Sequence, residues 1–177
     1  MRRLITLTGL LLLFSNPSMA DNLLIGIAVI NQEVEQKLAT GGTVTDDGSG
    51  IGIYADYYYK SQYRFNGTVS YVDYTDFYIA TATAAADYLI PVNSSFTLFA
   101  GATAGVASQS YSDSSASDMA MAPLYGVQVG GIVFVSNNLM LELGYRVRAT
   151  DLETEFPSQT VTIEEMNESY LSLILSF

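Results

Sequence analysis

The chain has 177 residues, of which 49% are hydrophobic, and it contains no cysteine, histidine or tryptophan. Its 18 acidic and 7 basic side chains give a formal net charge of −11, which makes nucleic acid an implausible partner. The composition also excludes disulfide bonds, because there is no cysteine. It excludes catalysis through a Ser-His or Asp-His pair, because there is no histidine.

The first 20 residues have the pattern of a secretory signal peptide. Two arginines precede an apolar run from Leu4 to Phe14, and a small-x-small cleavage sequence closes at Ala20. The apolar run has about eleven residues, well short of the ~20 that a membrane-spanning helix requires. We therefore predict a cleaved signal peptide at 1–20 and one domain at 21–177 that begins with Asp21. That domain has 7 − 2 = 5 basic and 18 acidic side chains, a formal charge of −13.

Beyond the signal peptide, the alternation of apolar and polar residues predicts eight β-strands and no helix. Clusters of Gly, Asn, Asp and Ser separate the alternating stretches. The predicted strands are Leu23–Asn31, Gly50–Tyr59, Tyr63–Val72, Phe77–Ile90, Phe96–Ser108, Pro123–Val135, Leu139–Thr150 and Met166–Phe177.

The connections between the predicted strands alternate between short and long. Tight turns (KSQ, PVNSS and SNN) follow the second, fourth and sixth strands, whereas three of the four other connections are long and all four carry acidic residues. Transmembrane β-barrels have short periplasmic turns and longer extracellular loops. The pattern therefore favours an all-β fold: an eight-stranded antiparallel up-and-down transmembrane β-barrel with both termini on the short-turn side.

Charged residues in the predicted strands lie out of phase with the apolar ones, which indicates an interior polar face. The residues assigned to it are Asp56, Arg64, Asp87, Glu142, Arg146 and Arg148. Three acids and three arginines balance, as a narrow interior requires, because an unpaired buried charge costs several kcal/mol. We predict an ion-pair network in the lumen. The alternative is a set of exposed salt bridges on a soluble barrel, which contribute little, but only Lys37 and Lys60 remain as other basic residues after position 20.

The closing segment, YLSLILSF, places Leu171, Leu173, Leu175 and Phe177 on one face of the last strand. Together with LELGYRVR in the seventh strand, it resembles the OmpA/OmpX-type small outer-membrane β-barrels of Gram-negative bacteria. The resemblance covers the whole of 21–177 as architecture. In that family a terminal phenylalanine preceded by alternate apolar residues is the recognition signal for the outer-membrane assembly machinery, which implies this role for Phe177.

The same resemblance implies a location and partners. It implies a multi-pass barrel in the cell outer membrane, in contact with lipids and lipopolysaccharide, with arginines and carboxylates paired in its interior. Enzymes among such small barrels resemble one another in needing a histidine base, which this chain lacks. The stretch TVTDDGSG offers Asp46, Asp47 and Ser49 as oxygen ligands, but the calcium-loop pattern is absent. We expect no enzyme activity, metal or cofactor.

Three functions remain open from the sequence. The first is a structural and surface-interaction protein that displays acidic extracellular loops for adhesion or envelope contacts, towards a ligand that the sequence does not identify. The second is a small pore gated by rearrangement of the lumen ion pairs. The third is a soluble periplasmic carrier of lipocalin type, in which inverted faces would place Leu171, Leu173, Leu175 and Phe177 around an apolar cavity.

Overall fold

The computed structural model describes residues 23–38, 41–111, 120–155 and 160–176. These residues form eight strands in chain order. The strands are β1 (Leu23–Leu38), β2 (Thr43–Tyr59), β3 (Tyr63–Asp73), β4 (Phe77–Asn93), β5 (Phe96–Tyr111), β6 (Ala120–Phe134), β7 (Leu139–Glu155) and β8 (Thr160–Ser176). The described part of the chain contains no helix long and apolar enough to cross a membrane.

The eight strands form one closed sheet. Each strand pairs antiparallel with its neighbours in the chain, and β8 pairs with β1 along nearly its whole length. The predicted all-β, eight-stranded antiparallel up-and-down barrel is therefore confirmed. A barrel of this size has an interior just wide enough for its own side chains, and every inward position must be filled accordingly.

Several strands are longer than predicted, and the first and last long loops predicted from the sequence are wrong. β1 continues to Leu38 and β2 begins at Thr43, so most of the predicted first loop is a paired hairpin. β7 and β8 likewise extend to Glu155 and Thr160. The acidic residues there indicated exposure to water, but a strand with one solvated face still satisfies its backbone through cross-strand hydrogen bonds.

The outward face carries an apolar belt. We define this belt as the apolar residues that point outward in the half of the barrel nearer the end that carries Leu23 and Ser176. Ile27, Ile51 and Leu143 are 59%, 65% and 64% exposed although they are large and apolar. Such a continuous apolar exterior is typical of a surface that faces lipid. Further along the same strands the outward residues become polar, as at Asn31 and Ser49.

The two ends of the barrel differ. At the terminal end, defined by Leu23 and Ser176, the connections are residues 60–62, 94–95 and 135–138. At the opposite end, which we call the loop end, the connections are 39–42, 74–76, 112–119 and 156–159. Lys60 and Ser61 in the first terminal-end turn have positive φ angles of 53° and 56°, a conformation that side-chain-bearing residues rarely adopt.

The loop end is taller on one side. β1 pairs with β2 as far as Lys37 and Thr43, whereas the β2–β3 ladder ends at Ser49 and Asp73. On the other flank the β6–β7 ladder ends at Leu124 and Thr150. Strands β7, β8, β1 and β2 therefore continue beyond the barrel rim as a four-stranded sheet.

The polar lumen and the acidic loop end

Arg64 on β3 is the centre of a buried cluster of charges. Its guanidinium donates from Nε to Asp87 Oδ2 at 2.8 Å, contacts Asp56 Oδ2 at 3.5 Å and forms a two-pronged ion pair with Glu142. Arg64 is 1% exposed. Its Cζ lies 4.4 Å from the ring centroid of Phe99, so the cation also meets an aromatic face.

A second cluster surrounds Glu168 on β8. Arg146 Nη1 donates to Glu168 Oε1 at 2.8 Å and Arg148 Nη2 donates to Oε2 at 2.5 Å. Gln32 Nε2 donates to the same carboxylate at 3.1 Å. Among the described residues, Nε of Arg148 is one of two buried side-chain polar atoms without a hydrogen-bond partner; the other is the Tyr58 hydroxyl.

Two neutral side chains join the clusters into one network. Gln128 donates to Asp87 Oδ1 at 2.6 Å and accepts a hydrogen bond from Arg146 Nε at 2.9 Å. Tyr170 donates its hydroxyl to Glu142 Oε1 at 2.6 Å and presents its ring to Arg146. A change in one cluster therefore alters the hydrogen-bond partners of the other.

All six lumen residues assigned from the sequence are buried, and the structure brings them together with a seventh charge, Glu168. Four carboxylates then face three arginines rather than three facing three. Glu168 was missed although it shares the phase of Tyr170 and Ser172 on the last strand. The alternation of the last strand carries the signal, because Glu168 lies out of phase with the apolar face of Leu171, Leu173 and Leu175.

Apolar layers close the lumen at both ends. Towards the terminal end the buried residues include Leu24, Leu89, Ile132, Met140 and Ile174. Towards the loop end the ring of Phe77 stacks on Tyr74 at 4.4 Å between centroids and lies 5.5 Å from Tyr111. The polar network is thus enclosed between these two apolar layers.

Glycines make room for inward aromatic rings. An added Cβ at Gly26 would overlap the ring of Tyr54, and one at Gly144 would overlap the ring of Tyr170. The same relation joins Gly48 to Tyr74. The space that each of these glycines leaves is occupied by a ring from a neighbouring strand or turn, so the glycines serve interior packing.

The outward face of the loop end is acidic. We call the following outward residues the acidic wall: Glu33, Glu35, Asp47, Asp151, Glu153, Glu164 and Glu165. Glu35 lies directly across from Glu165, and Glu33 from Asp47. Like charges in such positions repel. Lys37 pairs with Glu164, and this hydrogen bond raises the pKa of Lys37 above its usual value.

Those of the remaining predicted positions that the structure describes do not form a chemical site. Leu171, Leu173 and Leu175 lie on the outer face of β8 and are 49%, 37% and 42% exposed. Ala20, Asp21 and Phe177 lie outside the described residues. No group of three or more described acidic residues is arranged to hold a metal ion.

The soluble-carrier hypothesis is overturned by these faces. A lipocalin-like barrel needs an apolar cavity, but here paired charges occupy the middle of the interior, packed apolar layers fill its two ends, and the predicted cavity residues Leu171, Leu173 and Leu175 point outward. Leu171 and Leu173 line a shallow outer groove with Ile27 and Ile51 rather than an internal pocket.

Solved structures of small outer-membrane barrels share this fold. The chain is similar to Neisserial surface protein A (NspA), with 18% identity, coverage of 86% of this chain and 97% of that one, and a TM-score of 0.68. It is also similar to outer membrane protein H (OprH) from P. aeruginosa, with 19% identity, 88% and 99% coverage, and a TM-score of 0.60. The fold is that of the small eight-stranded transmembrane barrels of outer membranes. No protein-family model matches the chain, and no curated protein matches it.

Proposed function

We propose that the protein is a non-enzymatic outer-membrane anchor that presents the acidic wall outside the cell for contact with other surfaces. The observation that carries this proposal is the extension of β7, β8, β1 and β2 beyond the apolar belt, with acids on the outward face. In this sheet the four strands remain paired beyond the part of the barrel that contacts lipid. A barrel that served only to fill the membrane would not need it.

The orientation follows from the rule for bacterial barrels, in which both termini and the short turns are periplasmic. This places the loop end outside the cell. Export through a signal peptide at 1–20, assembly directed by Leu171, Leu173, Leu175 and Phe177, and contact with lipopolysaccharide belong to the same proposal. The name of the similar Neisserial surface protein A is in keeping with a surface location.

The lumen network is proposed to be a structural plug rather than a pore. Arg64 holds three carboxylates at once, and apolar layers lie above and below the network. Opening a path would separate buried ion pairs, and removing one partner of a buried pair typically costs about 3–5 kcal/mol. The absence of histidine from the sequence supports a non-enzymatic role.

The test is attachment of bacteria that express the chain on their surface. A neutralised variant replaces Glu33, Glu35, Glu153, Glu164 and Glu165 with glutamine. A control variant replaces the outward neighbours Thr43, Ser49, Thr162 and Ser169 with alanine. Faster migration of unboiled samples on SDS gels, in outer-membrane fractions, verifies that each barrel is folded.

We expect cells with the wild-type or control chain to attach to cultured host cells or to one another. We expect about tenfold fewer cells with the neutralised variant to attach. Equal attachment by the neutralised and wild-type barrels would overturn the proposal. So would wild-type attachment no greater than that of cells lacking the chain.

A further inference from the structure

One strand of the loop-end sheet has an open edge. β2 continues from Ser49 to Thr43 along β1 without a register shift. On its other side the ladder with β3 stops at Ser49 and Asp73. Among the described residues, Thr43–Gly48 therefore pair with β1 alone. Alternate residues of this segment direct their N–H and C=O groups away from the sheet.

The edge is open because β3 turns inward. After Asp73 the chain places Tyr74 in the lumen, where its ring packs against Gly48 and its hydroxyl donates to Gln32 Oε1 at 2.8 Å. Tyr74 N also donates to Phe77 O at 2.9 Å, which closes the turn into β4. The strand that would otherwise cover β2 thus ends at the rim.

The opposite edge of the sheet is not open in the same way. Pro123 on β6 has no N–H, so the β6–β7 ladder ends there, and Thr150 Oγ1 donates to the Pro123 carbonyl at 2.8 Å. Above it, Thr154 Oγ1 on β7 donates to Gln109 Oε1 on β5 at 3.1 Å. Side chains therefore join the β7 flank to the neighbouring strands.

Of the usual devices that protect exposed strand edges, the β2 edge has acidic side chains alone, which repel an acidic partner but not a cationic one. Natural edges are blunted by charged side chains, proline, bulges or shortness; Thr43–Gly48 carries Asp46 and Asp47 but neither lysine nor proline, and its ladder with β1 has no bulge. Six residues span about 20 Å, which is the length of an ordinary strand. Thr43, Thr45 and Asp47 are exposed.

Charge selects what can pair with this edge. Asp46 and Asp47 lie on it, and Asp73 and Asp76 flank the neighbouring turn. Lys37 is the one exposed basic residue of the described loop end, and it is paired with Glu164; Arg148 lies below it, buried against Glu168. A second copy of the chain would bring Asp46 and Asp47 against like charges, which is unfavourable. The segment 112–119 carries two aspartates and no basic residue.

We propose that the Thr43–Gly48 edge of β2 binds an extended cationic polypeptide by β-strand addition. The backbone of the edge supplies the pairing, and the four aspartates select lysine or arginine side chains on the added strand. The proposal rests on the proposed function, because it gives the acidic loop end a partner class, but it concerns one edge rather than the whole acidic wall.

The experiment uses the full barrel in detergent micelles and a fluorescently labelled peptide of alternating lysine and valine. A second peptide has the same sequence with consecutive backbone nitrogens methylated, so that its charge is unchanged but neither of its edges can donate hydrogen bonds. Anisotropy gives the affinities, and hydrogen exchange reports protection of the amides of Thr43–Gly48. The protein variant D46N/D47N is compared with E35Q/E165Q, which removes two charges that lie one and two strands from the edge, on β1 and β8.

We expect the unmodified peptide to bind at least tenfold more tightly than the methylated one and to slow exchange at Thr43–Gly48. D46N/D47N should weaken binding at least fivefold, and E35Q/E165Q should weaken it less. Equal binding of the two peptides would overturn strand addition while leaving a charge-based surface role intact. Absence of binding, or peptide-independent pairing of two barrels at this edge, would also overturn it.

Discussion

The ring of Tyr170 on β8 lies directly against Gly144 on β7, on the inward side of the barrel. From this position Tyr170 donates its hydroxyl to Glu142 at 2.6 Å, and its ring centroid lies 4.1 Å from Cζ of Arg146. Gly144 therefore leaves the space in which the Tyr170 ring contacts both charge clusters of the lumen network.

Gly144→Ala should destabilise the barrel by about 3 kcal/mol, because the new methyl group overpacks the site and moves Tyr170 off its partners. Unfolding by urea in lipid vesicles measures this change. The matched control is Gly67→Ala on β3, where an added Cβ meets nothing within 4 Å. Equal midpoints for the two variants would contradict the packing role of Gly144.

Arg64→Met should be among the most damaging single substitutions, since it leaves Asp56, Asp87 and Glu142 without their shared cation. A loss of about 3–5 kcal/mol is expected from breaking a buried ion pair on one side. Lys37→Met removes an exposed pair with Glu164 and should leave the unfolding midpoint nearly unchanged. A small effect at Arg64 would mean that the network is hydrated and screened.

Ser61→Gly should stabilise the protein by about 0.5–1 kcal/mol, because Ser61 has a φ of 56° that glycine adopts without steric cost. Urea midpoints again provide the measurement. Gly41 has a φ of 91°, so Gly41→Ala should act in the opposite direction. A gain in stability from Gly41→Ala would show that the positive φ angle at this position carries no steric cost for a residue with a side chain.

The level of the membrane can be located along β7. Leu143→Arg places a charge in the apolar belt and should cost about 2–4 kcal/mol in lipid vesicles. Asp151→Arg lies on the same outward face nearer the loop end and should cost little. If the two variants have the same folding efficiency and midpoint in vesicles, the belt does not mark the bilayer.

Purified wild-type barrel should show no stable conductance in planar bilayers, because the lumen is filled by the ion-pair network and both apolar layers. Glu142→Ala removes one partner of Arg64 and one acceptor of Tyr170. Steady channels in the wild type, altered by Glu142→Ala, would favour the pore hypothesis over the plug.

The fold was predictable because period-two alternation is strong wherever one face meets lipid and the other meets a lumen. The same alternation identifies the phase of Asp56, Arg64 and Arg148. It does not identify their partners: Arg64 meets Glu142 across the barrel, and Arg146 and Arg148 share Glu168, which the predicted network does not include. Contacts across a closed barrel depend on the stagger between strands. The alternation of apolar and polar residues within a single strand does not determine that stagger.

Strand length at the loop end was not predictable for a different reason. Residues such as Gln32 and Glu33 continue the alternation, but with few apolar members beyond Val34 the pattern resembles a polar loop. What keeps the segment extended is pairing on both sides of β1, to β2 and to β8. That stabilisation comes from contacts with other strands, and the sequence of the segment itself contains no pattern that indicates it.

The height of the loop-end sheet has an electrostatic consequence. From Val29 to Leu38, β1 rises about 20 Å along the barrel axis at the usual strand tilt. The Debye length at physiological ionic strength is about 8 Å. The highest acidic-wall residue on β1, Glu35, lies six residues above Val29, which is about 15 Å or nearly two such lengths. In the proposed outer-membrane setting the acidic wall and the anionic lipid are therefore largely screened from each other and act on an approaching molecule as two separate fields.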